Sequence, residues 1–85
     1  MPAVAPVYNT SILVVPSDTV NQFGPQGMLS DALYVGGAGI VVGVFENGAT
    51  ANFTAVAGEI LPIRIKRVNS TTTTATLMNL LYTAP

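Results

Sequence analysis

From Ala32 onward, apolar and polar positions alternate in short runs separated by turn residues, the pattern of half-buried β-strands. Six strands are predicted: Ser11–Val15, Ala32–Gly36, Ile40–Glu46, Ala49–Val56, Ile60–Val68 and Thr73–Tyr82. Gly36, Gly37 and Gly39 make a corner between the second and third strands, with positive φ available at any of them. Asn47-Gly48 predicts a two-residue type I′ hairpin, because both central residues of that turn need φ > 0. Such a turn pairs Glu46 with Ala49, Val44 with Ala51 and Val42 with Phe53, a mostly apolar set on one face. Val41, Gly43, Phe45, Thr50, Asn52 and Thr54 then form a mixed opposite face, as in an antiparallel sheet buried on one side.

In Ile60–Val68, Leu61, Ile63 and Ile65 point one way and Arg64 and Lys66 the other. Pro62 cannot donate to a ladder, so it marks a sheet edge or a bulge. The last run is apolar on both faces, with Ala75, Leu77 and Leu81 on one and Met78, Leu80 and Tyr82 on the other. A strand covered on both sides in so small a domain points to a subunit interface. A short helix over Ala75–Tyr82 is the rival reading, since Leu and Met favour helix. Thr71 to Thr74 and Thr76 read as an exposed threonine ladder.

The remaining segments lack a period. Residues 1–10, with Pro2 and Pro6, form an extended arm, either frayed or laid on a neighbouring subunit. Residues 11–85 form one domain. Pro16 to Asp31 is a long loop with apolar anchors Val20, Phe23, Met28 and Leu29. The fold class is therefore all-β, a small antiparallel β-barrel or sandwich of about six short strands.

Composition sharpens this. The 85 residues hold no Cys, so disulfides and thiolate metal sites are excluded, and below roughly 70–80 residues a single core usually needs staples or partners. Only 8% of residues are charged, and the net charge is −1, which leaves little repulsion between copies. A surface covered by other protein accounts for both. The longest apolar stretch, Ala32 to Phe45, is about 14 residues, while a spanning helix needs about 20, and its four glycines and many valines favour strand. Residues 1–10 carry no Lys or Arg, so no secretory signal is expected there.

Candidate chemistry is sparse. Without His or Cys there is no Ser-His, Cys-His or zinc constellation, and no cofactor or metal is expected. Asp18, Asp31, Glu46 and Glu59 sit at turns and loops and read as solvated acids and caps, so no enzyme is expected. Gly36-Gly37-Ala38-Gly39 lacks the following Lys-Ser/Thr and the helix of a phosphate loop. Arg64, Lys66 and Arg67 are the only cations and no aromatics interleave with them, so nucleic acid is not an expected partner. A charged rim facing an acidic protein surface fits them better.

Three stretches carry a resemblance. Ala32-Leu33-Tyr34-Val35-Gly36-Gly37-Ala38-Gly39, then Gly58-Glu59-Ile60-Leu61-Pro62-Ile63-Arg64-Ile65-Lys66-Arg67-Val68, then Thr73-Thr74-Ala75-Thr76 leading to Leu81-Tyr82, resemble in order and spacing the small head-spike base and decoration (cement) proteins of tailed phages and phage-derived gene transfer agents. The preceding Pro16-Ser17-Asp18 fits as well. The chain departs from that family at Thr72 and Leu77, where glycine is usual. The resemblance implies a virion structural protein, made in the host cytoplasm and placed on the outer capsid surface. Its partners would be its own copies, as trimer or pentamer, the major capsid protein, and a fibre that some members hold; neither nucleic acid nor membrane is implied. Candidate interface residues are Phe23, Arg64, Lys66 and Tyr82, with the Met1–Pro6 arm. A standalone carbohydrate-binding β-barrel and a tail or neck adaptor are the alternatives.

Overall fold

The computed structural model describes residues 8–83, so the arm apart from its last residues lies outside the described part. Seven strands and one short 3₁₀ turn follow in order: β1 (Thr10–Leu13), the turn Pro25–Gly27, β2 (Ala32–Gly37), β3 (Gly39–Phe45), β4 (Thr50–Ala55), β5 (Glu59–Leu61), β6 (Ile65–Val68) and β7 (Thr76–Tyr82). They form two antiparallel sheets, ordered β1-β7-β2-β5 and β4-β3-β6. The all-β expectation resolves into a sandwich of two sheets.

The count of seven arises at Pro62. The run expected as one strand splits there into β5 in one sheet and β6 in the other. Pro62 has no N–H for a ladder, and the Ile63 N–H turns back to the Leu61 carbonyl at 2.8 Å, a tight three-residue turn that redirects the chain. Ser30 holds this crossover from inside. Its fully buried hydroxyl donates to the Ile63 carbonyl (3.2 Å) and accepts the Ile65 N–H (3.1 Å). A buried hydroxyl with both roles filled carries no desolvation penalty.

At the glycine corner the chain passes from β2 in one sheet to β3 in the other. Gly36 and Gly37 stay within extended β2; of the three corner glycines, only Gly39 has positive φ, at 156°. What Gly39 needs is space, because a Cβ there would lie 2.6 Å from the Ala75 nitrogen. The 74–75 backbone comes that close because the Thr74 and Ala75 N–H groups both donate to the Ile40 carbonyl.

The hairpin lies at Asn47-Gly48 as expected, but with a different turn. The Phe45 N–H donates to the Ala49 carbonyl (2.8 Å), the Gly48 N–H donates to the Phe45 carbonyl (3.0 Å), and Gly48 has φ +88°. The loop is thus Glu46-Asn47-Gly48, a type I turn closed by a left-handed glycine. One extra loop residue slips the register by one: Val44 pairs with Thr50, Gly43 with Ala51, Val42 with Asn52 and Val41 with Phe53. The two faces of β3 exchange accordingly, while Ala51 and Phe53 of β4 keep the inward face. Val41, Phe45, Phe53 and Ala55 belong to the core, with Phe45 and Phe53 edge-to-face at 6.4 Å. Val42 and Val44 are buried outside that core, on the outer face.

β7 is a strand throughout, which removes the helical reading. Leu33, Val35, Val41, Ile65, Leu80 and Tyr82 are fully buried between the sheets. The threonine run before β7 is a loop, not an exposed ladder. The Thr73 and Thr74 hydroxyls accept the outward N–H groups of Val42 (3.0 Å) and Ile40 (2.8 Å), standing in for a neighbouring strand. Thr72 and Leu77, the two departures from glycine, have φ of +74° and +54°.

Candidate assembly surface

Strand pairing aligns residues across the outer face of the four-stranded sheet. Leu13 of β1 pairs with Asn79 of β7, Asn79 with Tyr34 of β2, and Tyr34 with Ile60 of β5. This cross-strand row lies in water: Leu13 is 64% exposed, Ile60 48% and Tyr34 37%. In the adjoining row Ser11 is exposed, Leu81 half-buried and Ala32 fully buried, and Leu77 stands on the same face at 73% exposure. No charged side chain stands on these two rows. An exposed apolar patch of this kind marks an interaction surface.

The expected interface residues are scattered. Phe23 is 47% exposed in the loop between β1 and β2. Arg64, in the crossover, pairs with Asp31 at 3.2 Å with its side chain 68% exposed, a contact worth little in water. Lys66 is half-buried on β6, whose outer edge is taken by the loop through the Gln22 N–H to the Lys66 carbonyl (2.7 Å). Tyr82 corrects the expectation: it is fully buried, because the inward parity of β7 includes Met78, Leu80 and Tyr82. Among the described residues its hydroxyl has no hydrogen-bond partner, and burial first, then the Asp31 charge, push its pKa up. The structure brings together Asp31 and Arg64, which line one open groove of about 360 Å³ with Met28, Leu29 and Glu46. Among the described residues no three His, Cys, Asp or Glu side chains cluster, and the groove joins one cation to two carboxylates with no nucleophile beside them.

The first half of the long loop is clasped at two points. Asp18 accepts the Thr71 N–H (3.0 Å) and the Thr71 hydroxyl (2.5 Å). These bonds, the hydroxyl first, hold its carboxyl below the usual range, against a small opposing effect of burial. Gln22 applies its amide to the outer edge of β1, accepting from the Val15 N–H (2.8 Å) and donating to the Leu13 carbonyl (2.9 Å). The exposed row of Leu13, Tyr34 and Ile60 was missed from sequence because it depends on which strands are neighbours. Parity along β1 and β5 places Leu13 and Ile60 opposite the core positions, but only topology puts them in line.

No protein-family model matches the sequence, and no curated protein matches it. Among solved structures, the chain is similar to one chain of the capsid of a native GTA (gene transfer agent) particle computed with C5 symmetry. The two share 34% identity and superpose with a TM-score of 0.76, over 93% of this chain and 90% of that one.

Proposed function

Because the chain belongs to the same family as that gene transfer agent capsid component, we propose that it is a virion structural protein, a homo-oligomeric module of the capsid surface that serves as a head-spike base or decoration protein. The observation that carries this is likeness in both sequence and fold along nearly the whole of both chains. Physical features of the chain support it. The uncharged outer face of the four-stranded sheet presents Leu13, Tyr34, Ile60 and Leu77 to a partner. Its role is structural, in keeping with the capsid membership of the related chain. Major capsid protein is the partner beneath it, and its exposed end is available to a fibre. Trimer and pentamer both suit a module of this size.

Mass photometry of the purified protein, together with cryo-EM of the intact particle, tests this. The expected result is a discrete oligomer at micromolar concentration and matching density on the capsid exterior. A stable monomer with no density on the particle would overturn it.

A further inference from the structure

A sheet edge is a row of unpaired main-chain groups, and proteins cover or blunt it. Three of the four edges here are managed. The Gln22 amide caps the end of β1, and β5 is three residues long and runs into Pro62. β6 is covered by the long loop, through Ser17 to Val68, Gln22 to Lys66 and Ser30 to Ile65. β4 is different. Its six residues, Thr-Ala-Asn-Phe-Thr-Ala, include no charge and no Pro. The Phe45–Ala49 bond sets the alternation, so Ala51, Phe53 and Ala55 bond to β3 while the N–H and C=O of Thr50, Asn52 and Thr54 face outward. Among the described residues no hydrogen bond reaches those outward groups, and no loop lies over them.

The sequence before Tyr8 has a matching pattern. Pro2 and Pro6 stand four positions apart, so in an extended strand both missing N–H groups lie on the same side. The other side carries the N–H groups of Ala3, Ala5 and Val7. Such a segment can pair along one edge only, which is where proline is tolerated in sheets.

We infer that β4 is the acceptor for residues 3–7 of a second copy, whose arm adds as a fourth strand beside it. Reach selects a second copy. The chain before Tyr8 leaves from the β1 side, which is tied to β6 by Ser17 and Gln22. β4 lies on the opposite side, joined to β5 by the short link at Val56–Gly58. Three strand spacings and one sheet separation put those edges roughly 17 Å apart. Val7 directly precedes Tyr8 on the β1 side, and five extended residues span at most about 18 Å, so residues 3–7 cannot lie along β4 of their own chain. Within one chain the ladder cannot form; between chains it can. Donor and acceptor sit on opposite sides, so the contact is head-to-tail, the kind that closes into rings. This rests on the homo-oligomer of the proposed function and names the contact that builds it.

The test uses the full chain, a chain lacking residues 1–7, and Asn52→Pro. Proline at Asn52 removes an outward N–H and breaks no bond to β3; Asn52→Lys is the second acceptor variant. Each is checked for folding by its thermal melt and sized by mass photometry. The full chain is expected to be an oligomer, the chain lacking residues 1–7 to associate about a hundredfold more weakly through the loss of several ladder bonds, and Asn52→Pro about tenfold more weakly through the loss of one, with Asn52→Lys weakened in the same direction by a charge on the covered edge. Mixing the truncated chain with Asn52→Pro restores one donor and one acceptor, so one-to-one dimers are expected. If the full chain assembles and the folded variants assemble equally well, the arm proposal is overturned while the homo-oligomer stands. Variants that keep the oligomer but lose capsid attachment would assign β4 to the capsid protein, also overturning it. A monomeric full chain overturns both.

Discussion

Thr72 offers a measurement of backbone strain that its surroundings do not confuse. Thr71 bonds Asp18, Thr73 bonds the Val42 N–H and Thr74 bonds the Ile40 N–H, but the Thr72 side chain, exposed to solvent, makes no hydrogen bond among the described residues. Its φ of +74° places a β-branched residue in the left-handed region. That conformation costs a residue with a Cβ about 1–2 kcal/mol. Glycine removes the clash but adds freedom to the unfolded chain worth roughly 0.5–1 kcal/mol. Thr72→Gly is therefore expected to stabilise by about 0.5–1 kcal/mol, which for a domain of this size raises Tm by roughly 2–8 °C. Thr72→Ala supplies the diagnostic contrast, since it keeps the Cβ. At an ordinary position alanine beats glycine; here glycine should beat alanine. Urea and thermal denaturation of the three proteins, at one fixed protomer concentration, give the order. Alanine more stable than glycine would refute the left-handed assignment and the strain argument with it.

Two other outcomes follow from buried and clasped groups. Tyr82→Phe should be neutral or stabilise by about 1–2 kcal/mol, since the hydroxyl is buried without a partner among the described residues and its removal recovers a desolvation cost. The same burial raises the Tyr82 pKa, so the wild type loses stability as pH climbs above the unfolded tyrosine value near ~10, and the Phe variant should lack that alkaline loss. A cost above about 1 kcal/mol at neutral pH would mean that the hydroxyl has found a partner, by the same accounting. The Asp18 carboxyl is held low by Thr71, so its contribution is present above the unfolded aspartate value and fades as pH falls through the lower folded one. An acid titration of stability should therefore be flatter for Asp18→Asn than for wild type over that window, and identical profiles would dismiss the clasp.

Local chemistry made the strands legible, and relations between distant residues hid the rest. Asn47-Gly48 marked the hairpin because its dihedral demand is local. The register needed one further fact, that Glu46 joins the loop, and that single residue exchanged the faces of Val41 and Val42. Pro62 announced an interruption, but whether the chain would bulge or change sheets depended on Ser30, 33 residues away in sequence from Ile63. The threonine run looked like a ladder because threonine suits strands; its hydroxyls instead replace a strand for Ile40 and Val42. The departures at Thr72 and Leu77 were more telling than their chemistry, since both positions have the left-handed backbone that glycine would favour. Tyr82 was named for an interface because its strand is apolar on both faces, and parity could not say which face was inside.

The few charges explain why the exposed faces are apolar. The chain has three cations and four acids. Asp18 fastens the long loop to Thr71, Asp31 meets Arg64 and the Thr83 N–H, Glu59 accepts the Val56 N–H, and Arg67 ties Asn21 to Asn69. These side chains act as fasteners between loops, where a folded chain without disulfides needs them. None stands on the outer row of Leu13, Tyr34 and Ile60, and none lies along β4. A monomer living free in solution gains solubility by spreading charge over such places and by blunting an open edge. This chain places most of its charges where they hold loops, and leaves uncharged one sheet face and one strand edge. That distribution costs a free protomer solubility and serves a protomer whose face and edge are covered in an assembly.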